Sequence, residues 1–311
     1  MERADLIVIG AGMTGLAAAK IALEGAPERR IVILEKSAGV GGRLATRRSP
    51  PAIFDHGAQT YPVMASGIWH EFWKRSGRID EWTDPEGVRV GSSRAGMTDL
   101  AKHLSQDLEI RKNTKVVRLA RSTDSWNVIS ETGEQWESTR VLITAPVPQS
   151  LELLKSSRIS HASGLSQLVY DPALVLLLGL ESSPSGSSPF IPPKHPPILS
   201  VTDQEQKKVS GTAAWTVVFD PEFSTRYFES DEIQVKTLAL REIRTQFPDL
   251  NIRDAQLKKW RYSRPQQIWP ESAHSIEGNQ GLVLAGDAFG GNGIDGALRS
   301  AKAAIALLFL S

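Results

Sequence analysis

The sequence predicts an α/β fold with two domains. One is built on a buried parallel sheet and assembled from separated stretches of chain; the other is a mixed-sheet α+β domain inserted between them. Three observations predict this. An apolar run, Leu6-Ile-Val-Ile9, ends in Gly10 and is followed by an Ala-rich stretch and a second apolar run, Ile31-Val-Ile-Leu34. A further apolar run, Leu282-Val-Leu-Ala285, enters another glycine-rich segment near the end of the chain. Residues 151–257 have a different texture, with isolated apolar strands, a Ser/Pro-rich stretch and one helix of charged character.

The composition is that of an ordinary globular protein: 311 residues, 41% hydrophobic, 23% charged and a net charge of +1. Arg and Lys are scattered, which argues against nucleic acid as a partner. The absence of cysteine excludes disulfides, Cys-ligated zinc, iron–sulfur clusters and a thioether-linked flavin, and no metal set is read elsewhere. No apolar stretch reaches the roughly 18 residues of a membrane helix. The apolar start carries glycines at regular spacing and follows Asp5, so it reads as structure and not as a leader. A cytoplasmic, soluble protein is expected.

Asp5–Gly10 reads as a buried parallel strand, Met13–Glu24 as a helix stopped by Gly25 and Pro27, and Arg30–Glu35 as the next strand. This is the context that the G-x-G-x-x-G spacing of Gly10, Gly12 and Gly15 requires for dinucleotide binding. Gly10 permits the tight turn, Gly12 lets a pyrophosphate approach the backbone, and Gly15 lets the helix pack on the strand. The helix start, with Met13 and Thr14, offers N–H groups and a positive dipole end to phosphate. Glu35, followed by Lys36, stands where a carboxylate accepts hydrogen bonds from ribose hydroxyls.

A second glycine turn, Gly41-Gly42-Arg43, follows the acid, as suits a chain running along a longer cofactor toward a flavin ring. Arg43 is expected to pair with the pyrophosphate. Phe54–Gln59 reads as a strand ending in a small-residue turn. There Gly57 and Ala58 allow close approach, Gln59 is expected to hydrogen-bond the ring's polar edge, and His56 is more structural than catalytic.

Gly96–Leu100 opens a helix with Thr98 as its cap, Glu109–Leu119 is a strand region, and Ser125–Ser130 with Gln135–Ser138 form a hairpin around Thr132-Gly133. Val141–Thr144 returns to the buried sheet and is ended by Pro146 and Pro148. Strands are expected at Leu174–Leu178 and Ala213–Phe219, a helix at Asp231–Phe247 and a long loop at Ser182–Pro197. Trp69, Phe72, Trp73 and Trp82 are read as core aromatics of the second domain. After Leu282–Ala285, Asn292-Gly293-Ile294 opens a helix running to Leu310, whose start favours negative charge on a reduced flavin. These readings divide the chain into a cofactor domain of residues 1–60, 95–150 and 258–311 and a substrate domain of residues 61–94 and 151–257.

In this order, Gly10-Ala-Gly-Met-Thr-Gly15, Gly41-Gly-Arg43 and Asp55-His-Gly-Ala-Gln59 resemble the flavin amine-oxidase superfamily, and within it the renalases. The resemblance continues through Val141–Gln149, Leu257–Ser263 and Gly286-Asp287. It implies a Rossmann-type FAD-binding domain in a two-domain architecture like that of p-hydroxybenzoate hydroxylase. It also implies non-covalent FAD, a backbone contact from Val117 to adenine, and Asp287 near the ribityl chain.

Only one dinucleotide fingerprint is present, so nicotinamide is expected as substrate and not as a second cofactor. The renalase resemblance implies oxidation of dihydronicotinamide dinucleotides reduced at ring positions 2 or 6, with hydride passing to flavin N5 and O2 becoming H2O2. Such a donor needs orientation more than a base. Trp215, Trp260, Arg261 and Tyr262 are the candidates that shape this pocket. An oxidase of amines or amino acids, and an FAD-binding interaction or carrier protein without turnover, stay open as alternatives. So do the choice between NAD and NADP isomers, flavin linkage through histidine, and oligomeric state.

Overall fold

The computed structural model describes residues 1–184, 186 and 188–309. Ser185 and Ser187 of the expected Ser/Pro loop, and Leu310 at the expected helix end, lie outside the described residues, as does Ser311. The chain divides into two compact units, Met1–Gly42 with Ala101–Val169 and Pro265–Ser311, and Arg43–Leu100 with Tyr170–Arg264.

The first unit carries a six-stranded sheet in the order His274–Ser275, Leu282–Leu284, Val141–Ile143, Leu6–Ile9, Ile31–Leu34, Glu109–Arg111. All neighbours are parallel except the first pair. The inner strands are buried on both faces, which explains their unbroken apolar sequence. Helix Met13–Gly25 follows Leu6–Ile9 and packs against the closing helix Gly293–Phe309. The chain goes one way from Leu6–Ile9 to Ile31–Leu34 and later returns on the other side at Val141–Ile143, so the sheet's switch point lies beside Gly10. A four-stranded sheet adds Glu2–Ala4, Gln135–Ser138, Trp126–Ser130 and Val116–Arg121, and contains the expected hairpin.

The second unit is built on a five-stranded sheet in the order Phe190–Ile191, Ile198–Asp203, Ala214–Phe219, Tyr170–Leu180, Ile252–Pro265. Strand Tyr170–Leu180 shows why its sequence is so apolar. Leu174, Leu176, Leu178 and Leu180 face a core closed by Val235, Ala239 and Ile243 of helix Glu232–Gln246. Val175 and Leu177 alternate to the opposite face and pack with Ala52 and Phe54. Asp231 caps that helix by accepting from the N–H groups of Ile233 and Gln234. Trp73 is fully buried beside Tyr61, with ring centroids 4.9 Å apart, so it is a core residue as expected.

The unit boundaries differ from the expected domain boundaries. Residues 43–60, 95–100 and 258–264 group with the second unit, and 151–169 with the first. Pro146 and Pro148 do not merely end a strand. They start helix Val147–Ser156, where a proline's missing N–H costs nothing. Ser157 Oγ then accepts from Leu119 N–H at 2.7 Å, tying this helix to the four-stranded sheet. Residues 46–55 form a hairpin, Thr46–Ser49 with Ala52–Asp55, whose apolar side joins the second unit's core. Thr98 is not a cap; it is the first residue of helix Thr98–Leu104, and its hydroxyl donates to Leu44 O and accepts from Thr46 N–H.

Candidate functional site

In the first unit the glycine turn sits at the switch point. Gly10 has φ +109°, and Thr144 at the end of the neighbouring strand donates its hydroxyl to the carbonyls of Ile9 and Gly10. A Cβ on Gly10 would lie 2.7 Å from that hydroxyl. A Cβ on Gly15 would lie 2.0 Å from the carbonyl oxygen of Gly10, so helix and turn touch there. A Cβ on Gly12 would meet nothing within 4 Å, and no side chain caps the 13-residue helix that Gly12 precedes. That combination, open space before a helix start with uncapped N–H groups, fits a diphosphate. Gly41 N–H donates to Ala11 O at 2.8 Å, and Gly12 and Gly41 form an isolated bridge. Gly42, with φ +55°, lies against Gly12, so the two glycine turns are one structure.

Glu35, expected to meet a ribose, holds the backbone of the turn in the structure. Its carboxylate is 8% exposed and accepts from Ala11 N–H at 2.8 Å and from Ser37 N–H at 2.7 Å. The acid therefore fixes the turn as well as ending the strand. Lys36 reaches out to Gln149 at 3.3 Å. Val117 falls at a register shift between Val116 and Arg118, and its carbonyl accepts from Ser156 Oγ.

The closing motif belongs to the same unit. Gly286 has φ +152°, donates its N–H to Ser300 Oγ, and would meet nothing within 4 Å with a Cβ added. Asp287, buried, begins a short helix Asp287–Gly290 that the sequence did not announce. Gly293 then begins the long helix, with Ile294 buried behind it. Gly290, Gly291 and Gly296 let the two helices touch, since a Cβ on Gly296 would lie 1.6 Å from Gly291 O.

In the second unit, Arg43 donates to the carbonyls of Tyr262 and Ser263 and stands 6.0 Å over the ring of Tyr170. Gly57 is pressed on the backbone of residue 43, where a Cβ would lie 1.8 Å from Arg43 O. Gln59 is a brace. Its Nε2 donates to Asp55 O and Gly57 O, and its Oε1 accepts from Gln204 Nε2. Both amide donors are thus used within the turn, which leaves no N–H for the ring edge that the sequence assigned to it.

His56 stacks on Trp260 at 5.4 Å, and Trp260 Nε1 donates to His56 O. Its Nδ1 is buried without a partner. Burial, and then the charge of Lys258, push its imidazole down to about 4. A histidine shifted down takes up its proton in the unfolded chain first, so stability is lost as pH falls from 6.5 toward about 4. The thermal midpoint of His56→Phe is expected to fall less over that range than that of the wild type. Parallel pH profiles for the two proteins would assign no such role to His56.

Trp260 and Tyr262 lie two residues apart on strand Ile252–Pro265 and share a face, with Tyr170 edge-on to Tyr262 at 5.9 Å. Arg261 alternates to the other face, exposed, over Phe228 and paired with Glu229. Trp215 is 1% exposed in the helix-covered core, against Phe247, with its Nε1 donating to Asp203. Of the four candidates the structure brings only Trp260 and Tyr262 onto one face of a strand.

The sequence did not single out the polar cluster below the 56–59 turn. Asp55 and Lys207, both fully buried, pair at 2.7 Å. Gln204 accepts from Asp55 N–H and donates to Thr216, whose hydroxyl donates to Asp55 O. Residues 203–207 read Asp-Gln-Glu-Gln-Lys, the composition of a surface loop, and nothing in that string signals burial.

The class defined by this fold and site is an α/β dinucleotide-binding protein, and its family makes it an FAD-dependent oxidoreductase. The pattern described as flavin containing amine oxidoreductase matches residues 70–307, and that of the NAD(P)-binding Rossmann-like domain matches residues 8–76. The chain belongs to the flavin-containing amine oxidoreductase family. Renalase of Mus musculus is 25% identical over 344 aligned residues, covering 97% of this chain and 98% of that protein. Among solved structures, putrescine oxidase bound to putrescine superposes with a TM-score of 0.73 at 12% identity, covering 99% of both chains. A fatty acid isomerase from P. acnes gives 0.72 at 13% identity, covering 96% of this chain and 97% of that one. Among the described residues no helix is long and apolar enough to cross a membrane.

Proposed function

We propose that this protein is a cytoplasmic flavin oxidase of renalase type, oxidising dihydronicotinamide dinucleotides reduced at position 2 or 6 to NAD(P)+. The observation that carries the reading is the similarity to a renalase over 97% of the chain, which includes both ends and the middle. When bound, FAD supplies a hydride acceptor at N5 and a path for electrons to O2, reduced to H2O2. We further infer a cofactor domain and a substrate domain organised as in p-hydroxybenzoate hydroxylase.

On this reading Gly10, Gly12, Met13, Thr14 and Gly15 bind the diphosphate through the backbone and helix start. Glu35 and Lys36 meet the adenosine ribose, and Val117 the adenine. Gly286, Asp287, Gly293 and Ile294 serve the flavin half. Gly42, Arg43, His56, Gly57 and Ala58 complete the set, with Gln59 as their brace. Trp260 and Tyr262 orient a planar substrate ring by stacking. Because aromatising the ring drives the transfer, these residues need to hold a ring in place and not to move a proton.

The test is anaerobic. Protein reconstituted with FAD is expected to bleach rapidly with 2- or 6-dihydro-NAD(P) and not with a panel of amines and amino acids. Rapid bleaching by amines alone would replace this reading with an amine oxidase. No bleaching by any donor, with FAD bound, would make it a carrier or interaction protein.

A further inference from the structure

The buried carboxylate of Asp55 is a junction for separate stretches of the second unit. Its Oδ1 accepts from the hydroxyl of Thr46 on the partner strand at 2.6 Å and from Met97 N–H before the next helix at 2.8 Å. Its Oδ2 accepts from Lys207 Nζ at 2.7 Å, out of the turn after strand Ile198–Asp203. Both members of the ion pair have fully buried side chains. Stability alone is a poor explanation for such a pair, because apolar side chains of similar volume are often as good or better there. What an apolar pair lacks is direction. Three donors converging on one carboxylate fix the mutual register of the segments that carry them.

That register passes directly into the 56–59 turn. Lys207 leaves the same turn as Gln204, which accepts from Asp55 N–H and holds Gln59 Oε1 at 2.9 Å. Gln59 returns its Nε2 to Asp55 O at 2.8 Å. Pulling Lys207 onto Asp55 therefore seats Gln204 under Gln59 and sets the backbone of Gly57 and Ala58.

We propose that Lys207 and Asp55 are a positioning pair that aligns the His56–Gln59 turn for FAD through Gln204. This rests on the FAD assignment above. Neither residue touches the cofactor in this scheme; both act through the turn.

The test compares wild type, Lys207→Met and the double variant Asp55→Asn/Lys207→Met. The readouts are thermal midpoint, FAD dissociation constant and the position of the bound flavin's visible bands. Lys207→Met leaves a carboxylate buried without its cation and is expected to lower the midpoint and weaken FAD binding about tenfold or more. The double variant removes both charges and is expected to recover the midpoint, while FAD affinity and band positions remain displaced. If Lys207→Met does not fold, the double variant carries the test. Recovery of affinity and bands together with the midpoint in the double variant would overturn the proposal, leaving the pair a stability element. So would unchanged affinity and bands in Lys207→Met. A wild-type protein that takes up no FAD would overturn the FAD assignment itself, and this inference with it.

Discussion

Gly15→Ala is expected to destabilise the first unit strongly, whereas Gly12→Ala is expected to keep the fold and weaken FAD binding. The two glycines are three residues apart, and each bears on the same turn. A methyl on Gly15 would sit 2.0 Å from Gly10 O and 3.1 Å from both Thr144 Oγ1 and Val8 Cγ1. The nearest of these is a backbone oxygen in a turn tied on both sides: Gly10 N–H donates to Leu34 O, and Thr144 holds Gly10 O. It has nowhere to move, so the cost is expected at about 3 kcal/mol or more. Gly12 has φ −76°, which alanine adopts freely, and a Cβ there meets nothing within 4 Å. Its thermal midpoint without FAD should match the wild type. The methyl would occupy the space before the helix start, and FAD binding is expected to weaken about 100-fold, roughly 2.7 kcal/mol. Flavin fluorescence titration measures this. Wild-type affinity in Gly12→Ala would mean that the diphosphate lies elsewhere.

Glu35→Gln is expected to destabilise the first unit although the side chain keeps its shape. The carboxylate gives one oxygen to Ala11 N–H and the other to Ser37 N–H. An amide of the same shape has one oxygen and one NH2. Whichever way it turns, one backbone N–H faces another donor in a site that is 8% exposed. Hydrogen bonds to a charged acceptor contribute about 1.5–3 kcal/mol, and a buried unsatisfied donor costs about 1–3 kcal/mol. A loss of about 3 kcal/mol is expected in thermal or urea unfolding, before any effect on FAD. Since Ala11 belongs to the glycine turn, FAD affinity should fall as well. A variant as stable as the wild type would show that these N–H groups find other acceptors.

Much of the cofactor unit was legible because its constraints are local. Gly10, Gly12 and Gly15 stand at spacings that only a strand–turn–helix satisfies, and the apolar runs around them are short enough to be buried strands. The second unit was less legible. The sequence could not say that Trp215 and Trp260 lie on opposite faces of one sheet, because strand parity depends on where each strand starts and what covers it. The 151–169 boundary was missed because Pro146-Val-Pro148 is equally compatible with a strand end and a helix start.

By itself, the sequence determined that a parallel sheet carries a dinucleotide turn at one end of the chain and a closing glycine motif at the other, since backbone freedom at glycine and alternation of apolar residues are properties of neighbouring positions. Only the tertiary structure decided what the polar side chains do. Gln59 became a brace, Glu35 a clamp on the turn, Arg43 a donor to the carbonyls of Tyr262 and Ser263, and Lys207 the buried partner of a carboxylate 152 positions away. The physical reason is that a buried charge or amide is defined by the partners that desolvation forces on it. Those partners come from wherever the fold brings the chain together, a distance that no local pattern encodes.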